Sequence, residues 1–256
     1  MEKVEFLKID NNKNEMLKTG INGFDELFQN GGIPLNISIL ISGTTGSGKS
    51  IFCRQICYNI LKNGGKCIYI SFQESEKSIK RSMEKFGWKI DYYIDNGSFI
   101  IQKINPLDIL RMKFGSVGGS GSATEVSYKI KPFEIPKDFN PDIIVVDSLS
   151  SIIEVSTTKE KNFRVYLQQL FEFFEESNSI SLLISEISCD TQKYSNFGIE
   201  EFLADGVVVL YNLNNKNDRA LKIIKMRYCK HRKNIVKMKI NENGVEIFPN
   251  QILDFL

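Results

Sequence analysis

The residues Gly43, Thr44, Thr45, Gly46, Ser47, Gly48, Lys49 and Ser50 carry the most specific chemistry in this 256-residue chain. They satisfy every fixed position of G-x-x-x-x-G-K-[ST], a loop whose backbone amides wrap a polyphosphate. Gly43, Gly46 and Gly48 let the backbone curl until its N–H groups face inward. Lys49 supplies a point charge for the β- and γ-phosphates, and the Ser50 hydroxyl is a ligand for Mg²⁺. Ile51 closes this nucleotide-binding set at the start of a helix, whose N-terminal dipole favours an anion. The ligand that fits is a nucleoside triphosphate with magnesium. Residues 43–50 alone do not choose between adenine and guanine. A chance Gly/Ser loop would share the string but not its flanks, an apolar strand before and a helix after.

A second acidic element accompanies the loop. Asp147 ends the apolar run 142–147, DIIVVD. A carboxylate at the C-terminal end of a buried strand, next to the phosphate-loop strand, completes the magnesium shell. A strand-end turn or cap would also use an aspartate, but a phosphate loop elsewhere in the chain requires such a partner.

Alternating strands and helices must hold these groups. Residues 36–42 (NISILIS), 67–72 (CIYISF), 99–104, 142–147 and 180–185 are short apolar runs that read as buried strands. Helices are expected from the loop to about residue 63, where Gly64-Gly65 ends it, and over 160–177. Residues 75–88 form an amphipathic helix with Ile79, Met83 and Phe86 on one face. This alternation predicts an α/β fold with a mostly parallel central sheet covered on both faces. After Asp205, the runs GVVVLYNL, RALKIIKMRY, NIVKMKI and GVEIF predict consecutive strands forming a C-terminal antiparallel extension. Residues 1–18 read as a polar lead-in and 19–256 as one domain. Within it, residues 113–141 are an insert, first Gly/Ser-rich and then carrying three prolines.

Composition narrows the class. Apolar content of 42% and charged content of 25% are ordinary for a globular protein, and a net charge of +2 lacks the basic excess of a strong nucleic-acid binder. The five cysteines fit no disulfide or zinc spacing, and His231 is the single histidine. Buried reduced thiols in a reducing cytoplasm are expected. There is no signal-peptide core and no apolar run near the ~20 residues needed to span a bilayer, so a soluble chain without membrane insertion is expected.

Four further strings, with the loop, resemble the KaiC family over residues 19–249. TGINGFDELFQNGGIP resembles its T-G-x-x-G-(L/F)-D-E-L-x-x-G-G-I-P, and ISFQES its S-F-E-E-S. FGIEEFLADGVVVL is similar to Y-G-(V/I)-E-E-F-x-x-D-x-V-V-x-L, and KMRYCKHRKNIVKMKINENGVEIFP to K-(M/L)-R-x-x-x-H…I-x-x-x-G-(I/V)-x-I-F-P. The resemblance implies a RecA-like P-loop NTPase core, ATP as the nucleotide, ATP bound between subunits, and homo-oligomers that are often ring hexamers. It places Gln73 where the family has the glutamate that acts as general base, and Glu74 at the second glutamate. An amide orients water but accepts no proton. Either Glu74 takes over or hydrolysis is slow. Lys225 and Arg227 match the K-x-R that reaches a neighbour's γ-phosphate. On a strand they share one face, and a point charge with a planar fork suits a triphosphate. Lysines also blunt edge strands. His231 matches the family's histidine, with a structural hydrogen bond as its expected role. Glu201-Phe202 stands where the autophosphorylating domain has Ser-Thr, so no protein-kinase activity or circadian role is implied.

The expected function is therefore an oligomeric ATPase that passes a shape change to an unidentified partner protein. The Gln73 substitution motivates an alternative, an ATP-dependent binding switch that barely hydrolyses. The Gly-rich residues 115–122 and the run Lys230-His231-Arg232-Lys233 motivate another, a RecA- or RadA-like DNA-binding recombinase.

Overall fold

A computed structural model describes residues 16–106, 134–154, 160–187, 194–195, 198–213 and 218–254. Met16–Leu17 (β1) pairs antiparallel with Ile33–Pro34 (β2), and a 3₁₀ turn at Asp25–Leu27 lies between them. Asp25 folds the segment back by accepting from Thr19 N, Thr19 Oγ1 and Gly20 N at 3.1, 2.7 and 3.1 Å. Residues 16 and 17, which the sequence reading leaves in the lead-in, thus belong to this entry ribbon.

Among the described residues the main sheet has nine strands. In chain order they are β3 (Ser38–Gly43), β4 (Cys67–Ser71), β5 (Phe99–Lys103), β6 (Ile143–Asp147), β7 (Ile180–Glu186), β8 (Gly206–Leu213), β9 (Asp218–Met226), β10 (Val236–Asn241) and β11 (Gly244–Ile252). Their spatial order is β11-β10-β9-β8-β3-β7-β6-β4-β5. The six strands from β8 to β5 are parallel, and β9, β10 and β11 extend the sheet antiparallel.

Two expectations need correction. β8 does not open the antiparallel extension. It lies parallel against β3, with Leu40 opposite Val207, and only its other edge pairs antiparallel with β9. A run buried on both faces looks the same in either orientation. Nor does the Asp147 strand lie next to the phosphate-loop strand, because β7 is inserted between β3 and β6. Strand order depends on pairing partners distant in sequence, and a local pattern does not encode it.

Helices cover both faces. α1 (Lys49–Lys62) lies on one face with Ile39, Ile41, Val145, Leu182 and Ile184. α5 (Glu160–Glu176) puts Tyr166, Leu167, Leu170 and Phe174 against Leu40, Val146 and Leu183 on the other. Side chains alternate across a strand. Asp147, two residues after Val145, and Glu186, two after Ile184, therefore carry the parity of the α1 face. α2 (Glu76–Glu84) is capped by the Ser75 hydroxyl, which accepts from Ser78 N. It stops four residues short of the expected end, and α3 (Asp91–Asp95) follows as a separate short helix. α4 (Leu149–Glu154) leaves the end of β6, and α6 (Glu200–Leu203) precedes β8. Gln55 ties α1 to the extension, donating to Val245 O at 3.2 Å and accepting from Val245 N at 2.5 Å. Cys53, Cys57 and Cys67 are buried and free. Cys189 and most of the 113–141 insert lie outside the described residues.

Candidate functional site

The phosphate loop joins β3 to α1, as the motif requires. Gly48 is left-handed at φ 102° and forms the N-cap of α1. Gly43, at φ 154°, has the Leu210 carbonyl oxygen 2.3 Å from where a Cβ would stand. A side chain at 43 would thus collide with β8 backbone. The curled loop leaves the first amides of α1 without intrahelical partners, which is the arrangement that receives an anion. Lys49 is almost wholly buried, and its Nζ donates to the carbonyls of Gly43 and Thr44 at 2.8 and 2.9 Å. Burial pulls its ammonium below the ordinary lysine value, while the carboxylates of Glu186 and Asp147 act in the opposite direction. Thr44, Thr45, Gly46, Ser47, Ser50 and Ile51 all lie in this loop or the first turn of α1.

Asp147 is held at the end of β6 by a network that the sequence does not advertise. Tyr69 Oη donates to Asp147 Oδ2 at 2.5 Å, and Arg54 Nη2 lies 3.7 Å from the same oxygen. Arg54 projects from α1 and is buried. It donates to Tyr69 Oη at 3.2 Å and to Ser82 Oγ at 2.6 Å, and it forms an ion pair with Glu74. Burial works against its charge, but Tyr69, Glu74 and Asp147 more than offset that and hold the guanidinium firmly protonated. Burial, then the Asp147 carboxylate, pushes the Tyr69 phenol well up, so its hydroxyl remains a donor. Asp147 Oδ1 makes no hydrogen bond among the described residues, and with the Ser50 hydroxyl it offers the hard oxygen donors that magnesium takes. The donor set fits the ion.

Neither Gln73 nor Glu74 is uncommitted. Gln73 Nε2 donates to Ser151 Oγ at 3.1 Å, and Glu74 accepts from Arg54 and, at 2.9 Å, from Ser78 Oγ. Two residues missed in the sequence reading border the loop instead. Glu186 ends β7 directly opposite Gly43. Arg219, at the start of β9, directs Nε and Nη2 at Gly46 O, both at 3.4 Å. Glu186 had a readable signal, an apolar run ending in a carboxylate, the same pattern that identified Asp147. Arg219 had none.

Comparison with known proteins matches residues 17–252 to the family described as "ATPase: KaiC". The chain belongs to the KaiC ATPase family. The circadian clock oscillator protein KaiC of Parathermosynechococcus lividus is 28% identical over 239 residues, covering 91% of this chain and 42% of the relative. That of Synechococcus elongatus is 26% identical over 240 residues, covering 91% and 44%. The chain thus spans less than half the length of these relatives. The crystal structure of a KaiC-like protein from the hyperthermophilic archaeon Pyrococcus horikoshii superposes with a TM-score of 0.74 at 30% identity, covering 93% of this chain and all of that one. The RecA-like fold follows from this match. Among the described residues, no helix is long and apolar enough to cross a membrane.

The K-x-R pair of this KaiC-family chain lies at the other end of the sheet. Lys225 pairs with Val207, which sits beside Leu40, three residues before Gly43. About 10 Å along the strands and two strand spacings across give roughly 14 Å between Lys225 and Gly43, with the loop lying farther still. Lys225 Nζ donates to Ala204 O at 2.5 Å and Glu201 O at 3.3 Å. Arg227 pairs with Asp205 at 3.0 Å, and Asp205 also accepts from Ser38 N at 3.0 Å. Burial, then Arg227, lowers the Lys225 ammonium. Arg227 and Asp205 border a cavity of about 300 Å³ with Asn36, Phe171 and Glu172. His231 bridges to Phe28, and its Nδ1 lies 3.0 Å from Arg232 O.

Proposed function

We propose that the chain binds Mg-ATP in the loop of residues 43–50 and hydrolyses it as a homo-oligomer, with each nucleotide between adjacent copies in a hexameric ring. The observation that carries this reading is the separation within one chain. Lys49 and Asp147 lie at one end of the sheet, and Lys225 and Arg227 lie at the other, beyond reach of the chain's own loop. A head-to-tail neighbour brings the two ends together, and a heterologous contact of that kind closes into a ring when its rotation permits. Lys49 and the loop amides hold the polyphosphate, and Ser50 and Asp147 hold magnesium, which when bound neutralises phosphate charge. Lys225 and Arg227 add the charge that the transferring phosphoryl group needs in its transition state. The shape change on turnover would pass to a partner protein.

Light scattering coupled to size exclusion, with and without Mg-ATP, tests the assembly. Phosphate release by the wild type and Lys49→Ala tests the chemistry. Equal release by the two, with no nucleotide-dependent change in mass, would overturn the reading.

A second reading, a switch that holds ATP without turning it over, is favoured by the engagement of Gln73 with Ser151 and of Glu74 with Arg54. Recovery of unhydrolysed ATP from the purified protein after prolonged incubation would support it. The recombinase reading gains no such support: Arg232 is bonded to Pro249 O and Asn250, and residues 115–122 lie outside the described residues.

A further inference from the structure

Gln73, at the position of the expected general base, and Glu74 after it are both engaged in other contacts. Position 73 is an amide bonded to Ser151, and the Glu74 carboxylate is shared between the buried Arg54 guanidinium and Ser78. Freeing Glu74 would cost the buried Arg54 guanidinium its closest carboxylate and leave only Asp147, at 3.7 Å, to balance it. Another carboxylate is better placed.

Glu186 ends β7, the strand that directly flanks the phosphate-loop strand, and it lies in register with Gly43. The Gly43 carbonyl oxygen accepts from the N–H of Ile187, the next residue, at 3.3 Å, and from Lys49 Nζ at 2.8 Å. The end of β7 and the phosphate-binding lysine therefore meet on one oxygen atom. Parity puts Glu186 on the α1 face, with Ile180, Leu182 and Ile184 below it and Asp147 one strand away. Its backbone is fixed, because Glu186 N donates to Ser150 Oγ at 2.8 Å, while its side chain is exposed and engages no cation in an ion pair among the described residues. A fixed backbone thus holds a solvated carboxylate at the phosphate-loop end of the sheet, close enough for its charge to act on Lys49, on the side from which a general base would have to reach the attacking water.

We propose that Glu186 is the carboxylate that orients and deprotonates the water attacking the γ-phosphate. The inference rests on the reading that this chain hydrolyses ATP. In the step, the water oxygen bonds to the γ-phosphorus as its proton passes to Glu186. The bond from that phosphorus to the β–γ bridging oxygen breaks, ADP leaves with that electron pair, and the proton is handed on to solvent. Gln73 and Glu74 then serve as positioning residues, Glu74 by holding Arg54 beside Asp147.

The test uses the full chain and three measurements on the wild type, Glu186→Gln and Glu186→Asp: Mg-ATP binding by calorimetry, phosphate release across pH, and the nucleotide content of the isolated protein. Glu186→Gln is expected to bind Mg-ATP as tightly as the wild type or more so. It should lose about 100-fold or more in kcat. It should lose the acidic limb of the pH profile and retain ATP where the wild type holds ADP. Glu186→Asp should restore the limb at an intermediate rate. A Glu186→Gln kcat within threefold of the wild type would overturn the inference, leaving Glu186 a counter-charge to Lys49. Wild type that binds Mg-ATP but releases no more phosphate than Lys49→Ala would also overturn it, while ATP binding stood. Wild type that fails to bind Mg-ATP would overturn the proposed function itself, and this inference with it.

Discussion

Replacing Arg54 with methionine tests the network around Asp147 most directly. Methionine retains most of the stem's packing but removes a guanidinium that is 5% exposed and is bonded to Tyr69, Ser82 and Glu74. Breaking a buried ion pair by removing one partner costs about 3–5 kcal/mol. Here the low end applies. The Glu74 side chain is 36% exposed and rehydrates, whereas Asp147, at 14%, loses a cation 3.7 Å away and keeps only the Tyr69 hydroxyl. The expected loss is about 3 kcal/mol, which for a domain of this size lowers the melting temperature by roughly 6–12 °C. The assay is urea unfolding followed by circular dichroism, without nucleotide, on the wild type, Arg54→Met, Glu74→Gln and the double variant. The pair should couple by about 1–2 kcal/mol, since contacting residues in one network are not additive. An Arg54→Met protein within about 0.5 kcal/mol of the wild type would refute the reasoning, because surface-like screening gives values of that size.

Other expected outcomes follow from the same geometry. Gly43→Ala should abolish Mg-ATP binding in calorimetry, because the new Cβ would stand 2.3 Å from the Leu210 carbonyl oxygen, which cannot move aside. Gly48→Ala should weaken binding less, because its obstacle is the flexible tip of Ile240, at 2.6 Å, and a left-handed alanine adds only about 1–2 kcal/mol. Lys49→Ala subunits mixed with Lys225→Ala/Arg227→Ala subunits should regain phosphate release that neither has alone, since mixed contacts pair an intact loop with an intact K-x-R; no recovery on mixing counts against shared sites. Chelating magnesium should dissolve nucleotide-dependent assemblies in light scattering.

The path of the 43–50 loop between β3 and α1 was legible because its signal is local. Three glycines, a lysine and a serine at fixed spacing specify a backbone path that needs no distant contact. Strand and helix positions were legible for the same reason, since short β-branched runs separated by amphipathic helices leave few alternatives. The order of the strands was not. Nothing within IIVVD indicates that β7 separates it from β3, and nothing within GVVVL indicates that it runs parallel to β3. Arg54 was hidden for a related reason. In IFCRQIC it reads as a helix-surface arginine, and its burial becomes visible only when Tyr69, Ser82, Glu74 and Asp147 converge on it from separate elements.

The polarity of the sheet links these observations. Parallel strands direct all their C-terminal ends one way, so the loop after β3, Asp147 and Glu186 emerge at the same edge. An antiparallel strand appended to that sheet runs back, and the end of β9 is carried to the opposite edge with Lys225 and Arg227. There the two cations are held by backbone carbonyls and Asp205, weakly enough for exchange, because Arg227 is 48% exposed and an exposed pair contributes only about 0.2–1 kcal/mol. A triphosphate presented by a neighbour offers Arg227 a bidentate partner that a single carboxylate oxygen does not. On the proposed reading, nucleotide is therefore what makes assembly favourable. One chain supplies the amides, the lysine and the metal ligands, the next supplies the remaining positive charge, and each ATP bound should stabilise the contact by the linkage that ties occupancy to association.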